Sequence, residues 1–204
     1  MTSALTLTTL RARVSQFLID TTNVTFSANA VDAAIRQALG EYSIARPCSV
    51  VGTLTLAAGR EQALTTFTGL LRVVRVWYPY TASDPEYPPE WIRFHLLWIS
   101  GVPTLYMDTE SAPAAAEVAR IWYHKPQTLN LLDSATGTTF SADDDTLMEL
   151  GAAGYAAAMR AVDIERQVTV PTGAARSVND WGRERLSEFR YALAGGGSGR
   201  WRTS

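Results

Sequence analysis

The stretch SIARPCSVVGTLTL, residues 43–56, marks the point at which the sequence changes from a helical to a strand pattern. Before it, apolar residues recur three and four positions apart, which is the spacing of one helix face. Pro47 ends that helix, because the residue before a proline avoids the helical backbone region. From Cys48 onward, apolar residues and threonines alternate, as they do in a half-buried strand. The sequence therefore predicts a helical segment followed by a β region.

Two helices are predicted ahead of this point, over residues 7–20 and 28–45. Each has an apolar stripe at helical spacing and a polar outer face. Thr6 or Thr8 can cap the first helix, and Ser27 can cap the second. The two helices are expected to pack through their apolar stripes.

About five antiparallel strands are predicted between residues 48 and 125, where β-branched and aromatic residues are frequent. Arg72 and Arg75 interrupt the alternation of the second strand and indicate a bulge or a sheet edge. Residues 79–90 contain Pro79, Pro85, Pro88 and Pro89 and form a loop. The predicted strands cover residues 50–56, 70–78, 91–99, 104–107 and 117–124.

The helical pattern returns after Lys125-Pro126, with helices predicted over 142–163 and 175–193. Ser141 and Asp144 have the spacing of a capping box at the start of the third helix. Gly151, Gly154 and Ala158 belong to a helix face with few large side chains. Such a face lets a second helix approach to about 8 Å between axes.

These patterns predict an α+β fold. A four-helix bundle-like unit carries an antiparallel β domain between its second and third helices, and a flexible tail follows the last helix. The predicted boundaries are residues 1–47 for the first helical half, 48–125 for the β domain, 126–194 for the second helical half and 195–204 for the tail.

Composition excludes several classes of protein. The net charge of −2 provides no overall field for holding nucleic acid. No apolar run reaches the ~20 residues of a membrane span, and no signal peptide is expected. Cys48 is the single cysteine, which excludes an internal disulfide and favours a reducing compartment.

No catalytic motif of weight is found in the sequence. His95 and His124 lie within or at the end of predicted strands and are interpreted as structural. The run Asp143-Asp144-Asp145 lacks the spacing of a calcium loop, and it is interpreted as favouring a helix N-terminus rather than a metal site.

Two features suggest contact surfaces. The β region is rich in aromatic residues, and Tyr80 and Tyr87 fall in the proline-rich loop, where they are either interface residues or incidental. The glycine-rich tail ends in Arg200-Trp201-Arg202, a combination typical of binding hot spots; the alternative is a frayed terminus.

The two C-terminal helices carry opposite charge. Residues 141–165 contain six acids and one arginine, a net charge of −5, and residues 176–204 contain six arginines and three acids, a net charge of +3. Arg176, Arg183 and Arg190 are the candidate interface residues. They contact either the acidic face of a neighbouring subunit, head to tail, or the acidic helix of their own subunit.

Both helical parts, residues 7–47 and 141–193, carry a pattern that resembles the head–tail connector (adaptor) proteins of tailed bacteriophages and related gene-transfer particles. The β region matches that family only in its position between the helical parts. The pattern consists of packing and capping residues. Its segments are Leu10-Arg11-Ala12-Arg13-Val14, Leu18-x-Asp20, Phe26-Ser27, Val31-Asp32-x-x-Ile35-x-x-Ala38-Leu39-x-Glu41-Tyr42-Ser43, Arg46-Pro47 and Leu150-Gly151-Ala152-Ala153-Gly154-Tyr155-Ala156.

The resemblance implies a homo-oligomeric ring, commonly dodecameric, at the neck of the virion. Its C-terminal segment would bind the portal protein, and its far face would receive the stopper or tail-completion protein. Double-stranded DNA would pass through the lumen without sequence recognition. Such a protein is assembled in the host cytoplasm, is not an enzyme, and has no cofactor, metal or membrane partner.

Two other functions remain open. A carbohydrate- or host-surface-binding module would use the aromatic β domain and requires exposed, coplanar tryptophans. A hydrolase with an unrecognised site would use His124 or His95 with a nearby acid.

Overall fold

The computed structural model of the chain describes residues 2–20, 25–83, 91–165 and 172–195. Its contacts divide into a helical unit, formed by Met1–Arg46 and Gln127–Ser204, and a β unit, Pro47–Pro126. Four helices and two small antiparallel sheets, with the strands between the second and third helices, confirm the predicted α+β class. Residues 196–204, which carry most of the predicted tail, lie outside the described residues.

Helix α1 (Leu7–Phe17) is shorter than predicted. Thr6 caps its start by accepting the N–H of Thr9 at 3.2 Å. The helix ends early because Ile19 adopts a positive φ of 55°, outside the right-handed helical region. The buried carboxylate of Asp20 then accepts the N–H of Phe26 at 2.6 Å and so holds the connection to the next helix.

Helix α2 (Ala28–Ala45) has the predicted bounds. Ser27 caps it by accepting the N–H of Ala30 at 3.2 Å, as predicted. Its apolar stripe is buried in the core of the helical unit. The same core takes side chains from all four helices and from the segment before α3, among them Leu10, Val14, Ile35, Leu129, Phe140, Met148 and Phe189.

A short 3₁₀ helix, Ala142–Asp144, leads into α3 (Asp145–Glu165), and α4 (Thr172–Gly195) follows. Ser141 caps the 3₁₀ helix by accepting the N–H of Asp143 at 3.4 Å. The side chain of Asp144 is hydrogen-bonded to helix α2 instead. The predicted capping box is thus only half formed, because a tertiary partner takes the carboxylate that would complete it.

The described residues of the β unit form six strands, one more than predicted. They are β1 (Cys48–Thr55), β2 (Glu61–Ala63), β3 (Arg72–Trp77), β4 (Arg93–Ile99), β5 (Val102–Asp108) and β6 (Val118–Lys125). One antiparallel sheet has the order β1-β6-β3 and the other β2-β5-β4. The predictions missed β2, whose three residues are too few to show an alternation.

The predicted irregularity in the second long strand is present as a bulge. The register of β3 against β6 shifts between Val73 and Arg75, and β3 is also an edge strand of its sheet. Both arginines that interrupt the sequence pattern therefore lie beside the bulge.

Both sheets contribute to one core within the β unit. Leu54, Val76 and Ile121 come from the β1-β6-β3 sheet, and Leu105 and Met107 come from the other sheet. Side chains alternate across a strand, so the opposite face of the β1-β6-β3 sheet is left for other contacts.

Candidate interaction surfaces

Helices α3 and α4 are in close contact through glycines. A Cβ on Gly151 would lie 2.8 Å from the ring of Phe189, and a Cβ on Gly154 would lie 2.9 Å from the side chain of Leu186. Real Cβ atoms essentially never make contacts under 3.0 Å, so neither position has room for a side chain unless its neighbour moves.

Gly182 on α4 completes this contact from the other side. A Cβ there would lie 3.0 Å from the carbonyl oxygen of Gly154 and 3.1 Å from the backbone nitrogen of Ala158. The backbones of the two helices therefore approach directly. Gly182 was missed from the sequence because a single glycine among charged residues gives no periodic signal.

Asp144 connects the start of α3 to the end of α2. Its carboxylate accepts the hydroxyl of Tyr42 at 2.6 Å and the guanidinium of Arg46 at 2.5 Å. Arg46 also donates to the carbonyl oxygen of Ala192 on α4. Burial raises the pKa of Tyr42 well above its usual value, and the bond to Asp144 raises it further. One carboxylate thus helps to join three helices.

The next two acids on α3 bind α1 and the N-terminal segment. Arg13 lies 2.8 Å from Glu149 and 3.8 Å from Asp145. The hydroxyl of Ser3 donates to Asp145 at 2.6 Å. These carboxylates stabilise helix packing, and the described residues contain no group of three or more metal-ligating side chains.

Glu41 on α2 accepts hydrogen bonds from Tyr155 on α3 and from Arg190 on α4, the latter at 2.7 Å. Burial acts to raise the pKa of Glu41, but the bonds from Arg190 and Tyr155 outweigh it and lower that pKa. The bonds to Glu41 and Tyr155 raise the pKa of Arg190. Arg190, a candidate interface residue, is therefore committed to a contact inside its own subunit.

The other candidate arginines of α4 have no acidic partner among the residues that the structure describes. Arg176 and Arg183 are exposed, and neither makes an ion pair within the described residues. They lie seven positions apart, as do Arg183 and Arg190, which places all three on one stripe of the helix. Arg183 and Arg190 line a surface groove together with Leu186, Ser187 and Tyr191.

Three acids of the α3 region are also exposed. The side-chain carboxylates of Asp143, Asp163 and Glu165 have no hydrogen bond or ion pair in the part of the chain that the structure describes. The acids of α3 that are paired inside the subunit bind arginines of α1 and α2, not of α4. Charge pairing between α3 and α4 within one subunit, one of the two alternatives, is absent among the described residues.

An apolar pocket of about 350 Å³ lies at the end of the helical unit where α1 ends and α4 begins. Phe17 and Trp181 contact one another there, with ring centroids 5.9 Å apart. The neighbouring Ile19 is 92% exposed. Further lining residues include Phe26, Arg160, Ile164 and Val178.

The outer face of the β1-β6-β3 sheet combines arginines with aromatic rings. We call it the arginine–aromatic face and define it by Arg72, Arg75, Tyr80, Trp91, Arg120 and Trp122. Trp77 pairs with Arg120 and points to the same side of the sheet, but it is only 3% exposed. The guanidinium of Arg75 is 5.1 Å from the ring centroid of Trp91, and that of Arg120 is 5.3 Å from both Tyr80 and Trp122.

The tryptophans of this face do not form an open platform. Trp77 and Trp122 are nearly parallel, with an interplanar angle of 18°, but Trp77 is buried. Trp91 is almost perpendicular to Trp122, at 82°. A sugar ring stacks on exposed, coplanar aromatic faces, and this cluster offers none, so the geometry does not favour the carbohydrate-binding alternative.

A second exposed feature of the β unit is the hairpin that joins β4 to β5. Its central residues, Ser100 and Gly101, have positive φ values of 51° and 80°, as a tight two-residue hairpin requires. Trp98, just before this turn, is 63% exposed.

A comparison with protein families distinguishes the adaptor from the carbohydrate-binding and hydrolase alternatives. The family model described as SU10 adaptor protein matches residues 5–203, almost the whole chain. The chain belongs to the SU10 adaptor protein family. It is a structural adaptor of a bacteriophage and hence a virion component, and its family is not a family of enzymes.

No curated protein matches the adaptor chain. Among the described residues of the adaptor, no helix is long and apolar enough to cross a membrane. The family match covers both helical parts, in which the sequence resemblance to phage adaptors lies, and it covers the β unit as well.

Some of the candidate residues lie together in the described part of the adaptor, and others fall outside it. Gly151, Gly154 and Ala158 meet at the α3–α4 contact, and Tyr80 lies on the arginine–aromatic face. Tyr87 and the tail residues Arg200, Trp201 and Arg202 lie outside the described residues. Arg75 and Arg120 were not selected as surface candidates, although Arg75 interrupts a strand pattern and could have been.

Proposed function

We propose that this phage adaptor forms a closed, head-to-tail ring, dodecameric as in the head–tail connectors it resembles, at the neck of the virion. The ring connects the portal of the capsid to the tail or stopper. Double-stranded DNA passes through its lumen without sequence recognition. The proposal depends on two complementary charged groups of the helical unit that are exposed and have no ion pair within its described residues.

Arg176 and Arg183 on α4 supply the positive side of the subunit contact, and Asp163 and Glu165 on α3 supply the negative side. All four are exposed and have no ion pair in the described part of their own subunit. A contact between two different patches of the same chain is heterologous, and it closes into a ring when the rotation between subunits allows it. The internal bond between Arg190 and Glu41 keeps α4 in position for this contact.

A charge-exchange experiment tests the contact. The variants Arg176→Glu/Arg183→Glu and Asp163→Arg/Glu165→Arg should each remain monomeric, because like charges then face one another at every contact. A mixture of the two variants should form rings again, because alternating subunits restore opposite charges at every contact. Light scattering and imaging of the protein mixed with its portal provide the measurement.

Two results would contradict this contact. Rings formed by either variant alone would exclude these charges from the interface, and a mixture that stays monomeric would exclude the head-to-tail pairing. Asp143→Arg is the control, since Asp143 is an exposed acid in the 3₁₀ helix before α3, far along the chain from Asp163 and Glu165.

Portal attachment is proposed to depend on the C-terminal tail, through Arg200, Trp201 and Arg202. In this proposal a tail becomes ordered when it binds, at a cost of ~1–2 kcal/mol of backbone entropy per residue, so one tail alone would bind weakly. Many tails on one ring would bind tightly, because each later tail docks intramolecularly. Deleting residues 196–204 should leave the melting temperature unchanged and abolish stable portal attachment. Trp201→Ala should cause most of the same loss, and particles that keep their tails with the truncated protein would contradict the proposal.

The DNA passage is proposed to be a surface along which DNA slides. With a net charge of −2, the chain lacks the excess of cations that grips phosphates. Free subunits should therefore bind duplex DNA weakly or undetectably at physiological salt. Sub-micromolar, salt-sensitive binding would contradict this proposal.

A further inference from the structure

We propose that the arginine–aromatic face of the β unit is a docking surface for an acidic polypeptide segment of another virion protein. This inference concerns the β unit alone and does not depend on the formation of a ring. It starts from three arginines that share a sheet face and have no carboxylate partner in the described residues.

The register of the sheet places these arginines on one face. Residues that pair directly across an antiparallel ladder point to the same side, and so do residues two apart on a strand. Arg75 pairs with Trp122, and Arg72 pairs with His124. Arg120 lies two positions from Trp122 on β6. The three positions therefore follow one another at steps of roughly 7 Å along the strand direction.

Aromatic contacts hold two of these guanidiniums in place. Arg120 lies near two rings, Tyr80 and Trp122, and Arg75 lies near Trp91. A guanidinium over a ring still has its N–H groups directed outward from its edge, in the geometry that pairs with a carboxylate through two parallel hydrogen bonds. Less side-chain entropy is then lost on binding, because the arginines are already ordered.

A hydrogen bond to a histidine, not an aromatic ring, holds Arg72 in place. Its Nε donates to Nδ1 of His124 at 2.8 Å, which requires that nitrogen of the imidazole to be unprotonated. Burial lowers the pKa of His124, and the charge of Arg72 lowers it further. The histidine therefore adds no second charge at neutral pH, and the remaining N–H groups of Arg72 stay available.

No acid in the described residues neutralises this face. None of Arg72, Arg75 and Arg120 is within 4.0 Å of a carboxylate oxygen there. Glu117, at the edge of the same sheet, already accepts the hydroxyl of Tyr78 and the N–H of Ala114. The face is therefore complementary in charge to an acidic partner.

The apolar surface around the arginines favours a polypeptide over nucleic acid. Val51 pairs with Trp122 on this face and is 43% exposed, and Trp91 is 37% exposed. Interfaces with proteins are rich in aromatic residues and arginine, whereas interfaces with DNA are more polar and carry much more positive charge. Three arginines among exposed apolar groups match the first description.

Fluorescence anisotropy of the full-length chain with a short, dye-labelled peptide of alternating glutamate and tyrosine tests the proposal. The wild-type chain should bind this peptide more tightly than its glutamine–tyrosine counterpart. Arg75→Gln/Arg120→Gln should weaken binding about tenfold or more. The matched control Arg36→Gln/Arg93→Gln, which removes the same charge at two exposed positions outside this face, should bind like the wild type.

A second variant keeps the test independent of folding defects. Val51→Glu leaves every arginine in place and puts a negative charge on the face, so it should also weaken peptide binding. Equal affinities for the glutamate and glutamine peptides would overturn the proposal, as would unchanged binding by Arg75→Gln/Arg120→Gln. Duplex DNA that binds more tightly than the peptide and depends on Arg75 and Arg120 would assign the face to nucleic acid instead.

Discussion

Among the described residues, every arginine that pairs with a carboxylate belongs to the helical unit and none to the β unit. In the helical unit, Arg11, Arg13, Arg36 and Arg46 each lie within 4.0 Å of a carboxylate on another segment of the chain. In the β unit, no described arginine has a carboxylate within that distance, and those of the sheet face contact aromatic rings instead.

This difference follows from what each unit has to hold together. Helices satisfy their backbone hydrogen bonds internally, so side chains must fix one helix against the next, and an ion pair does this with a defined geometry. Strands are already joined by backbone bonds across the ladder, so their outward-facing arginines are free to serve as contact groups. The predictions below test whether the arginines of the two units differ in this way.

The largest effect is expected at the glycine contact between α3 and α4. Gly154→Leu should lower the free energy of unfolding by roughly 3 kcal/mol, because a backbone nitrogen as well as the side chain of Leu186 blocks the new atoms. Denaturant unfolding measures the loss. Gly40→Ala is the control, because nothing lies within 4 Å of a Cβ there, and it should be neutral or stabilising. Equal stabilities of Gly154→Leu and the wild type would refute the close contact.

Loss of the Asp144 carboxylate, which is shared by Tyr42 and Arg46, should have the next largest effect on stability. Asp144→Ala removes the acceptor of both Tyr42 and Arg46 and should cost about 2 kcal/mol of unfolding free energy. Asp143→Ala removes an exposed neighbouring acid and should change stability by less than about 0.5 kcal/mol. The two variants are compared by denaturant unfolding, and similar losses for both would show that Asp144 acts only through the helix dipole.

An arginine of the β unit should contribute less to stability. Arg75→Gln loses the contact with Trp91 and should cost about 0.5–1 kcal/mol, the value of an exposed cation–π pair. Arg93→Gln, an exposed arginine on β4, is the reference and should be neutral. A cost for Arg75→Gln as large as that for Asp144→Ala would remove the distinction between the units.

The smallest effect concerns pH. The pKa of His124 in the folded chain is below its ordinary value of 6.5, through burial and then through Arg72. The unfolded chain therefore binds more protons between these two pKa values, so stability is full above about pH 6.5 and decreases as the pH falls toward the folded pKa.

Calorimetry at about pH 7.5 and about pH 5.5 measures this decrease as a fall in melting temperature. His124→Gln should show a smaller fall, since it removes the group that titrates. The carboxylates whose pKa values are lowered, such as those of Glu41 and Glu117, contribute only at more acidic pH, because their ordinary pKa is 4.5. Identical pH dependence in both proteins would exclude His124 as the cause.

Much of the fold could be predicted because its signals are local. The helix caps Thr6 and Ser27, the change of pattern at Cys48 and the bulge beside Arg75 are all confirmed. The end of α1 at Phe17 was missed, because it depends on the positive φ of Ile19, which no residue type in that stretch requires. The resemblance to phage adaptors likewise depends on packing and capping residues that occur in a fixed local order.

The candidate surfaces could be predicted only in part. Arg176, Arg183 and Arg190 look equivalent in the sequence, yet Arg190 is bound to Glu41, which is 149 positions away along the chain. The arginine–aromatic face has the same origin, since Arg75 and Arg120 belong to strands that are distant in sequence and adjacent in the sheet.

By itself, the sequence determined the class of each segment, the bounds of α2, the switch from helix to strand and back, and the absence of a recognisable catalytic motif. Periodicity, capping and composition are properties of neighbouring residues, so they are present before the chain folds. Only the tertiary structure decided which charges are paired and which remain free. Pairing depends on distances between segments far apart in the chain, and those distances exist only once the helices and sheets have packed.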